Sequence, residues 1–102
     1  MTPRESIRED LSKAMQPYGV TSEQLMSHRR LRKWAVPRQM AYTLIRQKYG
    51  LSYPRIGRLF NGRDHSTIFH GVQLHEARMA WVEFLILAAD VDEQPDLFRN
   101  AA

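Results

Sequence analysis

Five polar residues, Arg63 to Thr67, follow one another in the segment GRDHST, residues 62–67, and the apolar Ile68 comes directly after them. Asp64, His65 and Ser66 contain the three side-chain types of a hydrolytic triad. Neighbours at a helix start cannot point at one another as nucleophile, base and orienting group, so the segment does not predict catalysis. Short donors and acceptors at this place favour helix capping and the reading of base edges in a DNA groove.

Metal, cofactor and redox chemistry find no support in the sequence. His70 and His75 are five residues apart, which differs from the i, i+4 spacing that puts two ligands on one helix face. The absence of cysteine excludes disulfides and thiolate sites, and the nucleotide-binding pattern GxxxxGK[ST] does not occur. We therefore predict neither an enzyme nor a bound metal, cofactor or nucleotide.

Basic residues are concentrated in the middle of the chain. Between His28 and Arg63 there are ten Lys or Arg residues and no Asp or Glu, whereas six acids and Arg78 alone lie between Glu76 and Asp96. The net charge of the whole chain is +4. A local concentration of cations favours a polyanion as partner, and a solvated basic face is the alternative explanation.

The polar segment stands inside a predicted helix-turn-helix, residues 52–72. Ser52 caps a short first helix, Asn61-Gly62 forms the turn, and the second helix begins near Asp64 or His65. In such a motif the first residues of the second helix reach base edges in the major groove. The second helix, as one long helix or two, continues through a core stripe at helical spacing: Ile68, Val72, His75, Met79, Val82 and Ile86.

The remaining segments also predict helices. Capping signals start helices at Thr2 and Thr21, Gly50 ends a helix, and Pro37 opens the helix after a basic connector, residues 28–33. No strand pattern, repeat, leader or membrane-spanning run occurs. The sequence predicts one all-α domain over residues 1–102, a helical bundle of about five to six helices, cytoplasmic and nucleoid-associated.

The segment GRDHSTIFH resembles the signature of the C-terminal DNA-binding domain of the bacterial replication initiator DnaA, GRDHTTVLHA. The resemblance extends upstream through the short helix YPRIG, the helix that starts with PRQ and the basic connector, and needs no gaps over residues 7–75. It implies a Trp-repressor-like fold, a helix-turn-helix with an extra basic loop. Residues 76–102 would form a helical extension.

The resemblance also implies a duplex DNA site of the TTATNCACA type and assigns roles by position. Arg30 would enter the minor groove from the basic loop, where a narrow groove attracts arginine. Phosphates and neighbouring bases would be held by Arg38, Gln39 and Arg46. The major-groove set would be Arg63, Asp64, His65, Ser66 and Thr67. Apart from the resemblance, supporting phosphate contacts are expected from Arg29, Arg32, Lys33 and Arg55, and a solvated cluster is the alternative for Arg29, Arg32 and Lys33.

Several positions depart from the residues that are usual in this family. Ser66 replaces threonine and lacks a methyl group that could contact thymine. Gly71 stands where alanine is usual, which lowers helix propensity. Arg55 stands where glutamate is usual and adds a cation. The ATPase region that precedes this domain in the initiator has no counterpart in the sequence.

The expected function is sequence-specific binding of duplex DNA by a small regulator of replication initiation or transcription, without ATPase activity. A transcription factor, a prophage or plasmid control element, and a competitor for initiator sites all fit. The alternative is an interaction module that keeps the fold and docks a partner or a second copy through Trp81–Leu87, which is apolar on more than one helix face. An excised domain of a longer initiator is a third possibility.

Overall fold

The computed structural model of the chain describes residues 2–29 and 31–91, with side chains through Ala89. The described part consists of helices and connecting turns without strands, so the all-α prediction is confirmed. Single 3₁₀ turns lie at Gln16–Tyr18 and Arg32–Trp34. The α-helices are α1 Pro3–Met15, α2 Ser22–Met26, α3 Ala35–Tyr49, α4 Tyr53–Leu59 and α5 His65–Val91.

The sequence signals for helix ends act as predicted. The hydroxyl oxygens of Thr2 and Thr21 accept backbone N–H groups in the first turns of α1 and α2, at 3.2 and 3.1 Å. Ser52 caps α4 in the same way. Gly50, with φ of 63°, ends α3 in the left-handed conformation. These caps satisfy donors and acceptors that helix ends leave unpaired.

The core collects apolar side chains from every helix. Leu11 of α1, Leu25 of α2, Ile45 of α3, Ile56 of α4 and Ile68 of α5 are each at most 1% exposed. Burial of such side chains contributes about 1.5–3 kcal/mol each. The five helices therefore form one packed body around the start of α5.

The start of α3 differs from the prediction that Pro37 opens this helix. The helix begins at Ala35, so Pro37 lies in its first turn, where the missing N–H would be unpaired in any case. Trp34, which precedes α3, is 6% exposed. The buried Trp34 ring therefore anchors the far end of the basic connector.

α5 is one continuous helix, but only its first half is covered. Ile68 and Val72 are buried and His75 is half-buried, whereas the later members of the predicted core stripe are exposed. The reason is length, because the 27 residues of α5 extend over about 40 Å and the 15 residues of α3 over about 22 Å. The exposed members are Met79 at 48%, Val82 at 38% and Ile86 at 59%.

Gly71 has a packing reason that the sequence did not reveal. A Cβ atom at this position would lie 2.7 Å from Cδ2 of Tyr42, closer than carbon atoms approach. The glycine lets the buried Tyr42 ring lie directly against the backbone of α5. An alanine at position 71 would collide with this ring, which explains why glycine stands there.

Gly71→Ala is expected to lower the free energy of unfolding by up to about 2 kcal/mol. Alanine gains ~1 kcal/mol of helix propensity, but overpacking against Tyr42 costs ~1–3 kcal/mol. Urea denaturation measures the difference. Ala80→Gly, at an exposed position of the same helix, should show the propensity effect alone. A stabilised Gly71→Ala protein would contradict this packing account.

Candidate nucleic-acid interface

The turn between α4 and α5 sets the direction of α5. Asn61 and Gly62 both have positive φ angles, 62° and 73°, as their residue types predicted. The backbone N–H of Arg63 then donates to the carbonyl of Gly57 at 2.9 Å. This hydrogen bond ties the end of the turn back to α4, so the first residues of α5 have a fixed position.

Asp64 is the N-cap of α5. Its carbonyl accepts the N–H of Ile68 at 3.2 Å, and its carboxylate accepts the backbone N–H of Ser66 at 3.2 Å and also the hydroxyl of Ser66. These hydrogen bonds, the Ser66 hydroxyl first, lower the pKa of Asp64. The capping role is therefore confirmed, and the carboxylate is ionised at neutral pH.

The residues predicted to read base edges, called the reading residues from here on, lie exposed at the start of α5. Asp64, His65, Ser66 and Thr67 are all exposed, and the His65 side chain retains 66% of its accessible surface. The Nδ1 atom of His65 lies 3.5 Å from an Asp64 carboxylate oxygen. This contact orients the imidazole beside the cap.

Replacing Asp64 by alanine is expected to lower the free energy of unfolding by about 1 kcal/mol, the usual effect of losing an N-cap. Asp64→Asn should retain most of that stability, because an amide oxygen can still accept the Ser66 N–H. Thermal unfolding followed by circular dichroism measures both. Equal losses in the two variants would show that the charge, and not the cap, stabilises α5.

One open cleft joins several of the predicted DNA contacts. Arg32 from the connector, Gln39 from α3, and Arg63, Thr67 and His70 from the turn and α5 all line it. His70 is exposed and was not predicted as a contact. Its position one helical turn after Thr67 could have identified it, because residues at i and i+3 share a helix face.

Gln39 is held at the edge of this cleft from its other side. Its amide oxygen accepts a hydrogen bond from Nη2 of Arg78 at 2.6 Å. Arg78 belongs to α5, three turns after the reading residues. The amide is thus oriented by the same helix that carries His65.

Arg38 is largely buried and also lines this cleft. It is 5% exposed. Its guanidinium donates to the carbonyls of Leu25 at 2.9 Å, Ser27 at 3.0 Å and Gln24 at 3.3 Å, and lies 5.5 Å from the Trp34 ring centroid. The end of α2 leaves carbonyls that need donors, and arginine supplies them. A phosphate contact from Arg38 stays a prediction.

Two residues of the helix-turn-helix complete the cap on α2. Nδ2 of Asn61 donates to the carbonyl of Met26, and Nη2 of Arg63 donates to the carbonyl of Ser27 at 2.8 Å. The basic connector begins immediately afterwards, at His28. The root of the connector is therefore fixed directly to the turn that positions the reading residues.

The sequence comparisons agree with this geometry. Residues 11–74 match the family described as Bacterial dnaA protein helix-turn-helix. The chain belongs to this family. It is 40% identical over 94% of its length to the chromosomal replication initiator protein DnaA of Ruegeria sp. (strain TM1040). It is 39% identical over 78% of its length to chromosomal replication initiator protein DnaA 1 of Chlamydia pneumoniae.

The match concerns a small part of these DnaA relatives. The chain spans 19% of the Ruegeria protein and 16% of the Chlamydia protein. It also spans 16% of the DnaA protein of Cereibacter sphaeroides (strain ATCC 17029), with 43% identity over 75 residues. The family assignment therefore applies to the helix-turn-helix region and not to a whole initiator.

Arg46 of this DnaA-type domain braces α4. Its Nη1 donates to the carbonyl of Leu51 at 2.7 Å, and its guanidinium lies 4.6 Å from the ring centroid of Tyr53. Tyr53 in turn packs edge-on against Phe69 of α5 at 5.3 Å. The half-buried Arg46 thus supports the helix-turn-helix, and its predicted phosphate contact is not tested by these contacts.

The predicted supporting phosphate contacts of the DnaA-type domain lie on the connector and on α4. Arg30, the predicted minor-groove residue, falls outside the described residues.

Among residues 2–29 and 31–89, no group of three or more potential ligands could hold a metal ion. None of the helices in the described part is long and apolar enough to cross a bilayer. The exposed members of the predicted phosphate set are Arg29, Arg32, Lys33 and Arg55.

Proposed function

We propose that this chain reads short asymmetric duplex DNA sites of the TTATNCACA type. The main observation behind this proposal is that the first turn of α5 is exposed and lies next to a cleft. The cleft is lined by Arg32, Gln39, Arg63 and Thr67. A helix N-terminus with short polar side chains fits the major groove, and flanking cations position it on the phosphates. Membership of the DnaA helix-turn-helix family supports the type of site.

The base-reading roles follow from the side chains of the first turn of α5. Asp64 accepts from a cytosine amino group with its exposed carboxylate, and His65 donates to or packs on the adjacent base. Ser66 and Thr67 are short enough to let the helix end approach the base edges. Arg30 reads A·T pairs from the minor groove, where its charge meets the enhanced negative potential.

The phosphate contacts divide into direct and indirect ones. Arg29, Arg32, Lys33 and Arg55 are exposed and contact phosphates directly, which contributes affinity without sequence preference. Arg38 and Arg46 act indirectly, because their guanidinium groups bind carbonyls of the fold. Gln39 contacts the backbone from the edge of the cleft.

The proposed regulatory role follows from occupation of the DNA site by this chain. A chain that occupies such a site, called a box from here on, excludes any initiator that needs the same base edges. The proposed regulator therefore limits replication initiation or represses transcription at such sites. Adding increasing amounts of the chain to a box that already carries a full-length initiator should displace the initiator in proportion to the two affinities.

Two variants distinguish residues that contact bases from residues that contact phosphates. His65→Ala should weaken binding to a TTATCCACA duplex by about 10- to 100-fold and leave binding to a scrambled duplex unchanged, because it removes a base contact. Arg55→Ala should weaken both duplexes equally and reduce the slope of log affinity against log salt by about 1. Fluorescence anisotropy measures both. Identical behaviour of the two variants would contradict the assigned roles.

A further inference from the structure

The second half of α5 carries an apolar surface that the helical body does not cover. We call residues 79–89 the apolar end of α5. Arg78 donates to Gln39 of α3, and from Met79 onward the large side chains are exposed. Trp81 is 60% exposed and its ring stacks on Phe84 at 5.4 Å. Glu83 is the one charged residue of this segment.

Two apolar stripes run along this apolar end. One continues the core stripe of Ile68 and Val72 through Val82 and Ile86. The other consists of residues at i, i+3, i+4 and i+7 spacing on the opposite face: Trp81, Phe84, Leu85 and Ala88. A helix that is apolar on both faces is normally buried on both. The apolar end therefore needs a covering surface.

The exposed area has the size of a dimer interface. Its large side chains, together with Leu74, are between 38% and 60% exposed. Counted over both stripes, they present on the order of 800 Å² of accessible surface, and a standard protein interface takes about 800 Å² from each partner. The largest apolar patch of a typical monomer is about 300–600 Å².

We propose that the apolar end of α5 pairs with the apolar end of a second copy of this chain. The i, i+3, i+4, i+7 stripe is the pattern that helix pairs use, and Trp81 and Phe84 supply the large aromatic contacts that dominate interfaces. A second copy brings the same low-charge surface, whereas the basic faces stay apart. The pairing does not depend on the proposed DNA function.

The paired surface leaves both reading turns accessible. Leu85 lies 20 residues after His65, which places it about 30 Å further along the helix axis. A duplex at the first turn of α5 and a second copy at its last turns therefore do not compete. The pair would present two reading ends to two boxes on one DNA molecule.

Sedimentation equilibrium of the full chain without DNA tests the pairing. The wild-type protein should change from 12.0 kDa toward twice that mass as its concentration rises through the micromolar range. Trp81→Glu with Leu85→Glu should raise the dissociation constant by about 30-fold or more. Gln73→Glu adds the same type of charge at an exposed position outside the apolar end and should pair as the wild type does.

The outcomes of these measurements either support the pairing of two copies or overturn it. Circular dichroism of the double variant should show the wild-type helix content, because the changed side chains are exposed. A wild-type mass of 12.0 kDa at all concentrations up to about 100 μM would overturn the proposal. So would pairing that survives in the double variant. A chain shortened after Val91 that pairs when the full chain does not would identify the tail as the occupant and also overturn it.

Discussion

Replacing Arg38 by methionine is expected to lower the free energy of unfolding by about 3–5 kcal/mol. The change removes a buried cation whose N–H groups hold the carbonyls of Gln24, Leu25 and Ser27. Methionine fills similar space but donates nothing, so the Leu25 carbonyl loses the donor that Arg38 supplies, while the Ser27 and Gln24 carbonyls keep donors from Arg63 and Ser27. It also removes the guanidinium that lies next to the Trp34 ring.

Urea denaturation of three proteins isolates this effect. Arg38→Lys keeps the charge but replaces the planar fork by one ammonium group, so it should lie between the wild type and Arg38→Met. Arg32→Met changes the same residue type at an exposed position and should stay within about 0.5 kcal/mol of the wild type. A stable Arg38→Met protein with weaker DNA binding and a smaller salt slope would instead assign Arg38 to a phosphate.

Gly57→Ala should cost about 3 kcal/mol of stability, although alanine is the better helix former by ~1 kcal/mol. A Cβ atom on Gly57 would lie 2.1 Å from the carbonyl oxygen of Arg63. The obstacle is backbone and cannot rotate away. The turn must move, which lengthens the hydrogen bond from the Arg63 N–H to the Gly57 carbonyl and shifts the start of α5.

Gly57→Ala should reduce the preference for the specific DNA sequence more than it reduces the overall affinity for DNA. A shifted first turn misplaces Asp64 and His65 against the base edges, while the exposed cations keep their charge. Preference for a box over a scrambled duplex should fall by about 10-fold or more. Arg58→Ala, on the exposed face of the same helix, is the stability control. Unchanged stability and preference in Gly57→Ala would contradict the proposed role of this close contact.

Local sequence signals predicted the helix ends well because their partners are close in the chain. Thr2 and Ser52 each bind a backbone N–H three residues away, and Asp64 binds one two residues away. Gly50 and the Asn61-Gly62 turn follow from backbone conformations that few residue types adopt. Such features need no knowledge of the tertiary structure.

Predictions that depend on distant partners were less complete. Arg38 binds carbonyls 11–14 residues away, and no periodicity indicates that an arginine beside a proline becomes core. The prediction that Met79 is a core residue was wrong because a helical stripe shows which face is apolar and not whether a neighbouring helix covers it. The packing reason for Gly71 required the position of the Tyr42 ring.

The site was predicted in part. The exposed turn from Asp64 to Thr67 and its capping follow from residue type and spacing, and the structure has both. The cleft that joins this turn to Arg32 and Gln39 required the packing of α3 on α5. His70 became a candidate only through that cleft.

The central claim is that the chain reads a box sequence, and one comparison tests it directly. Fluorescence anisotropy of the wild-type chain on a TTATCCACA duplex and on a scrambled duplex of equal composition, at about 0.15 M salt, should give affinities that differ by at least ~10³-fold. Equal affinities for the two duplexes, both falling steeply with salt, would show a phosphate-binding surface without base reading and would contradict the claim.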